Sequence, residues 1–180
     1  MISDLILTTY NDRAFCILTT ITCYVCMSGN IRAFHKRIAH FTSEWTNDIL
    51  VWIGFLAIFG LPLVGLFDEI NFHTLHVICA GVFFGGFGIY ALWLTSILKA
   101  NKDKFTLNEQ KAIDWQVTVT NTIVGLLVVF IGLMVATGET QPYGPWLEWL
   151  YVFSLLNYFM VLSYDNDFYD CVKWYGNVDA

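Results

Sequence analysis

Two ionisable side chains stand out near the apolar stretches of this 180-residue chain. His76 lies at the start of one long apolar stretch, with His73 three residues before it, and Glu148 lies at the start of another. Ionisable groups in a membrane segment are candidates for proton transfer or ligand binding. Both lie at the ends of their stretches, where a side chain reaches water. We therefore expect His76 to be a hydrogen-bonded structural histidine and Glu148 to be an acid stabilised at a helix start.

No catalytic, cofactor or metal site is expected. Haem ligation by His76 would need a second histidine at comparable depth, and the sequence has none. Cys23 and Cys26 form a CxxC motif, which without a second pair is more typical of helix packing than of metal binding. His35 and His40 lie in the basic residues 32–48, a pattern typical of a solvated loop. Because no nucleophile–base pair is present either, we predict a non-catalytic protein without metal or cofactor.

Composition indicates a membrane protein. The chain is 57% hydrophobic and 13% charged, whereas soluble domains average about 25% charged residues. Its net charge of −6 argues against a nucleic-acid partner, since nucleic acids select basic surfaces. We expect the partners to be other membrane protein subunits and membrane lipids.

Long uncharged stretches predict the helices that position these residues. Residues 49–67 and 75–98 contain no Asp, Glu, Lys or Arg, and each exceeds the roughly 18 residues of a membrane-spanning helix. Asp68 and Glu69 mark the turn between them. The predicted fold is an all-α polytopic transmembrane bundle, a single domain over residues 1–180. Its five predicted spans are residues 14–31, 49–67, 75–98, 115–138 and 146–164.

Small and polar residues recur at helical spacing on the third and fourth spans. They are Gly81, Gly85 and Gly88 on the third span, here called the glycine face, and Asn121, Gly125 and Gly132 on the fourth. Small residues let helices approach closely inside a membrane. We expect both sets to be helix-packing surfaces, against another helix of this chain or against another protein.

Basic residues predict the orientation. Of the nine Lys and Arg residues, seven lie in residues 32–37 and 99–111, segments that a five-span chain places on one side. The positive-inside rule makes this the cytoplasmic or matrix side. The N-terminus is then outside and the C-terminus inside. The mitochondrial inner membrane and an endomembrane (lysosome, Golgi or plasma membrane) fit this pattern equally.

Two segments resemble a known membrane family. They are GLPLVGLFDEINFHTLHVICAGVFFGG, residues 60–86, and LEWLYVFSLLNYFMVLSYDNDF, residues 147–168. Both are similar to signature segments of the family that includes the damage-regulated autophagy modulators (DRAM) and the FRAG and SFK proteins. The matching residues are Gly60, Leu61, Val64, Phe67, His76, Ala80, Phe84, Glu148, Trp149, Asp167 and Phe168.

The resemblance implies a non-enzymatic role in autophagy, membrane lipid organisation or lipid-anchor maturation. The family usually has six helices with both termini cytosolic, so we expect this chain to lack the first of them. The first span also has a face of small residues, formed by Cys16, Thr19, Cys23 and Cys26. Small-residue faces on the first, third and fourth spans exceed what a five-helix monomer needs. Our first interpretation is therefore an accessory subunit of a larger membrane complex, a respiratory complex being one example. The alternative is a DRAM/FRAG/SFK-like regulator of autophagy or membrane lipid organisation.

Overall fold

A computed structural model of the protein describes residues 9–39, 41–67, 70–137 and 144–163. These residues form six α-helices and no strand, which confirms the all-α prediction. The helices are α1 (Thr9–Ile21), α2 (Ser28–Ile38), α3 (Glu44–Leu66), α4 (His73–Ala100), α5 (Leu107–Thr137) and α6 (Gly144–Ser163). A π-helix, Thr22–Met27, joins α1 to α2, and a 3₁₀ turn, Lys102–Lys104, precedes α5.

Four segments of the described chain are long and apolar enough to cross a membrane. They are Ala14–Lys36, Glu44–Leu66, His73–Ala100 and Glu109–Leu133, and they correspond to the first four predicted spans. Helix α6 covers most of the fifth predicted span but is not among these segments, so a fifth crossing stays a prediction. The predicted span ends at residues 138 and 164 lie outside the described residues.

The helices begin earlier than the apolar stretches because polar residues satisfy their first backbone N–H groups. The hydroxyl oxygen of Ser43 accepts a hydrogen bond of 3.2 Å from the N–H of Thr46, so α3 begins at Glu44 rather than at residue 49. At the start of α5 the Glu109 carboxylate accepts one of 2.6 Å from the N–H of Thr106. These are capping interactions. The apolar stretch therefore marks the middle of each helix and not its ends.

The loop predicted over residues 32–48 is wrong for much of its length, because helix α2 continues to Ile38. Ile31, His35 and Ile38 share one helical face, and none is more than 2% exposed. Burial of this face stabilises the helix although Arg32 and Lys36 are exposed. Arg32 and Lys36 lie on the exposed side of an amphipathic helix rather than in a loop.

An aromatic core surrounds α4. Helices α3 and α4 pack against each other most extensively. The ring of Phe87 on α4 meets the rings of Phe83 and Phe159 edge-on, with centroids 5.3 and 5.1 Å apart. Phe83, Phe87 and Tyr90 are at most 2% exposed. Edge-to-face contacts of this kind favour a fixed packing of α4 against α6.

The two basic segments meet at one end of the bundle. The rings of Phe41 and Phe105, one in each connection, lie 5.1 Å apart. The ammonium of Lys104 lies 5.4 Å from the Phe41 ring centroid, and that of Lys102 pairs with Asp114 at 2.6 Å. We call this the basic end. Its position agrees with the prediction that residues 32–37 and 99–111 lie on one side.

Candidate functional site

A buried histidine joins three helices near the basic end. The Nδ1 atom of His35 lies 2.7 Å from the Oδ1 atom of Asn47 on α3, and its Nε2 atom lies 3.1 Å from the hydroxyl of Tyr90 on α4. An amide oxygen only accepts, so Nδ1 of His35 donates to Asn47. In the neutral imidazole, Nε2 then accepts from the Tyr90 hydroxyl.

Further polar side chains extend this group across α4, α5 and α6. The hydroxyls of Thr95 and Thr120 form a hydrogen bond of 2.9 Å, and the ring centroids of Tyr90 and Tyr158 lie 6.4 Å apart. Gln116, one turn before Thr120, is also buried. Together with His35 and Asn47 these residues form what we call the interior polar cluster. Its members are uncharged amides, hydroxyls and an imidazole, a set suited to holding helices together in a membrane.

Sequence reasoning missed His35 because its charged neighbours suggested a loop. A signal was present, however. Met27, Ile31 and His35 follow one another at intervals of four residues, and all three are at most 4% exposed. A histidine in phase with buried apolar residues predicts a buried histidine. His40, the other histidine of the predicted loop, lies outside the described residues.

His76 is placed as a hydrogen-bonded histidine at the hairpin between α3 and α4. It is 8% exposed, and its Nδ1 atom donates to the carbonyl oxygen of Phe67 at 2.8 Å. The last carbonyl groups of a helix lack partners within the helix. His76 supplies a hydrogen-bond donor to one of these carbonyl groups and so ties the end of α3 to the first turn of α4. His73 is exposed.

We expect His76→Gln to lower the free energy of unfolding by less than about 1 kcal/mol, since Gln retains an N–H donor for the Phe67 carbonyl. His76→Leu is the matched comparison: it leaves the carbonyl unpaired and should cost about 1–3 kcal/mol. Thermal unfolding in detergent measures both. Purified protein should show no haem Soret absorbance. A Soret band that disappears in His76→Gln would contradict the structural role.

Glu148 lies further into its helix than predicted. Helix α6 begins at Gly144, and its first turn contains no acidic residue. Pro145 follows at once and is compatible with a first helical turn, so the helix starts before the apolar residues do. The expected helix-start position of Glu148 is therefore wrong, and its side chain is partly exposed one turn into α6. Of the resembling residues, Asp167 and Phe168 lie outside the described chain.

The glycine face points mostly away from the rest of the described chain. A Cβ atom added at Gly88 would lie 3.2 Å from the Cδ2 atom of Leu127, but one added at Gly81 or Gly85 would have no atom within 4 Å. On α5, Asn121, Gly125 and Gly132 are exposed, and added Cβ atoms at the two glycines meet nothing within 4 Å. Packing of these surfaces against another protein stays a prediction.

Close helix contact uses other glycines. A Cβ added at Gly60 would lie 2.7 Å from the backbone nitrogen of Phe83 and 2.9 Å from the carbonyl oxygen of Cys79. One added at Gly86 would lie 2.9 Å from the Cβ of Ala57. The backbones of α3 and α4 therefore approach closely at these glycines. Spacing along one helix did not identify them, because it does not show which face a neighbour covers.

Residues of the resembling segments meet at the contact of α3 and α4 and beside it. Gly60 lies against the backbone of α4, and Phe67 accepts the hydrogen bond of His76. The ring of Phe84 packs edge-on against Tyr151 of α6 at 4.9 Å, and the Tyr151 hydroxyl donates to the Phe84 carbonyl. These residues therefore hold α4 to α3 and to α6.

Comparison with known families gives one match. The model described as Frag1/DRAM/Sfk1/Cwh43P N-terminal domain matches residues 1–170 of the 180 in the chain. No curated protein and no solved structure matches significantly. The matched range includes the α3–α4 hairpin with its signature residues and all four segments able to cross a membrane. The chain therefore belongs to the Frag1/DRAM/Sfk1/Cwh43P N-terminal domain family of membrane proteins.

Proposed function

We propose that the protein is a non-catalytic integral membrane protein that organises membrane lipids, as a DRAM/FRAG/SFK-like regulator. The observation that carries this proposal is the family match over residues 1–170. It favours the regulator over the respiratory accessory subunit, for which neither the described residues nor the comparisons give support. Autophagy is the second process in which a regulator of this kind would act.

The outer surface of the bundle is suited to contact with lipid. Large apolar side chains point outward on several helices, and these include Trp52, Leu56, Ile89, Val128 and Met160, each at least 50% exposed. In a membrane, such side chains contact acyl chains directly. The interior, by contrast, is filled by aromatic rings and the interior polar cluster. A packed interior with a lipid-facing surface supports a role exerted through contacts rather than through a reaction.

Cells that lack the protein provide the test. We expect loss of the protein to alter membrane order, measured with a polarity-sensitive dye, or the turnover of autophagosomes. The wild-type chain should reverse whichever change is seen. The Gly29→Ala variant is the control for rescue. An added Cβ there meets no atom within 4 Å, so this variant should restore membrane order and autophagosome turnover as fully as the wild-type chain. If neither membrane order nor autophagosome turnover changes on loss of the protein, the proposal is wrong.

A subunit role outside respiration is a second candidate, favoured by the outward-facing glycine face. We expect Gly85→Leu to leave the melting temperature of the isolated chain nearly unchanged, because an added Cβ there meets no atom within 4 Å. If another protein packs on this face, recovery of that protein in mild detergent should fall by about tenfold, since overpacking costs roughly 1–3 kcal/mol. Unchanged recovery of all co-purifying proteins would indicate that the face contacts lipid.

We also propose that the basic end faces the cytoplasm or matrix. The contact between Phe41 and Phe105 supports one side for both basic segments, and the positive-inside rule supports its identity. A single cysteine at Asn101 should then be shielded from an impermeant thiol reagent added outside, and one at Gln141 should be labelled. The measurement uses a background without native cysteines. The reverse labelling pattern would overturn the orientation.

A further inference from the structure

A seam between the first two spans combines basic side chains with an aromatic surface. On α3 the rings of Trp52 and Phe55 lie 6.4 Å apart. The Arg32 guanidinium carbon lies 5.2 Å from the Phe55 ring centroid, and deeper in the span the Tyr24 ring meets that of Phe59 at 5.4 Å. Arg32, Tyr24, Trp52 and Phe59 are exposed. The seam therefore faces outward along the bundle.

Charge and apolar character are ordered along this seam. Lys36 is the last residue of the first candidate span, and Arg32 lies one turn, about 6 Å, further in. Phe55 and Phe59 lie progressively further from Glu44, where α3 begins near the basic end. Lys36 is thus nearest the membrane surface, Arg32 lies at the level of Phe55, and the rings of Tyr24 and Phe59 are deeper. A phospholipid has the same order, with its phosphate at the surface and its acyl chains below.

Arg32 and Lys36 need a counter-charge. Among the described residues, no ion pair joins either of them to a carboxylate. A cation at the edge of a membrane span is costly unless it finds an anion or reaches water. The Phe55 ring lies within cation–π distance of the Arg32 guanidinium, and the N–H groups of a guanidinium match phosphate oxygens.

Two carboxylates on α3 share the helical face of the seam. Asp48 lies four residues before Trp52 and seven before Phe55, and Glu44 lies four residues before Asp48. Both are exposed. Their negative charge opposes the binding of an anion at this end of the seam.

We propose that this seam binds an anionic phospholipid from the leaflet at the basic end, with the phosphate at Arg32 and Lys36 and the acyl chains along Phe55 and Phe59. This deepens the proposed function, on which it rests, because a protein that organises lipids has to bind them. The test below measures binding to purified protein. Membrane order in cells is a separate measurement, so either proposal can fail alone.

Native mass spectrometry of the full chain from nanodiscs of phosphatidylglycerol and phosphatidylcholine measures the bound lipid. We expect wild-type protein to retain phosphatidylglycerol in preference, and Arg32→Gln with Lys36→Gln to reduce that preference about tenfold, as for the loss of one charge-assisted hydrogen bond. The matched control is Lys99→Gln with Lys111→Gln, which removes the same charge from exposed positions on α4 and α5. It should keep the preference. Asp48→Asn should increase it.

Three results would overturn the proposal. The first is wild-type protein that shows no preference for phosphatidylglycerol. The second is an equal loss in the Lys99 and Lys111 control, which would indicate general attraction to the basic end. The third is an unchanged preference in the Arg32 and Lys36 variant. Lys36→Gln alone and Phe55→Leu, each with a native melting curve, keep the test decisive if the double variant does not fold, because both should weaken retention.

Discussion

Replacing Gly60 by Ala is expected to destabilise the protein by about 1–3 kcal/mol, the usual range for overpacking. The new Cβ would lie 2.7 Å from the backbone nitrogen of Phe83, and a backbone atom cannot rotate away as a side chain can. Relief requires α3 and α4 to separate, which disturbs the largest contact of the bundle. Thermal unfolding in detergent should show a drop of about 2–12 °C, at roughly 2–4 °C per kcal/mol.

Gly81→Ala is the matched control for this substitution. The position lies on α4, and an added Cβ meets nothing within 4 Å. Ala favours the helix over Gly by about 1 kcal/mol, so this control should be neutral or slightly stabilising. The two variants make the same chemical change, but only Gly60→Ala is expected to lower the free energy of unfolding. Equal stabilisation by both would show that α3 and α4 do not approach closely at Gly60.

His35→Leu is expected to be the other substitution that strongly lowers the free energy of unfolding. It removes both hydrogen bonds of the imidazole and leaves the Asn47 amide and the Tyr90 hydroxyl without it. Tyr90 is buried, whereas Asn47 is partly buried. A buried polar group left unpaired costs about 1–3 kcal/mol. Interhelical hydrogen bonds in membranes average only about 0.6 kcal/mol, so the unpaired Tyr90 hydroxyl dominates the loss. Chemical or thermal unfolding of the purified chain measures it.

A double-mutant cycle separates the contribution of Tyr90. Tyr90→Phe removes the hydroxyl and retains the ring that packs near Tyr158. Combined with His35→Leu, it should cost clearly less than the sum of the two single changes, because the unpaired hydroxyl is gone. Strict additivity would mean that the bond of 3.1 Å between His35 and Tyr90 contributes nothing to stability.

The sequence predicts the helices well and their ends poorly, for a physical reason. An apolar stretch such as residues 49–67 has to be helical in a membrane, because its backbone has no other hydrogen-bond partners. The ends depend on capping, and Ser43 and Glu109 extend their helices into polar sequence. Polar residues also concealed α2. The residues of its buried face alternate in the sequence with basic residues of its exposed face, so no long apolar stretch marks the helix.

The candidate site is predicted less completely. His76 is found as an ionisable residue at the end of an apolar stretch and Phe84 through the family resemblance, and the structure adds the Phe67 carbonyl and Tyr151 as their partners. His35 depends on a contact with Tyr90, 55 residues away in sequence. Helical spacing shows which residues share a face but not which helix covers it. For that reason Gly60 and Gly86, and not Gly81 and Gly85, lie at the close approach of α3 and α4.

The π-helix in the first span has a consequence for comparing this chain with its relatives. The N–H of Ser28 bonds to the carbonyl of Cys23, five residues earlier, so Thr22–Met27 carries one residue more than an α-helix of the same rise. One residue corresponds to about 100° of rotation. A relative whose first span is purely α-helical would therefore need a one-residue gap inside Thr22–Met27. An ungapped alignment would match His35 to a position rotated by that angle from the buried face.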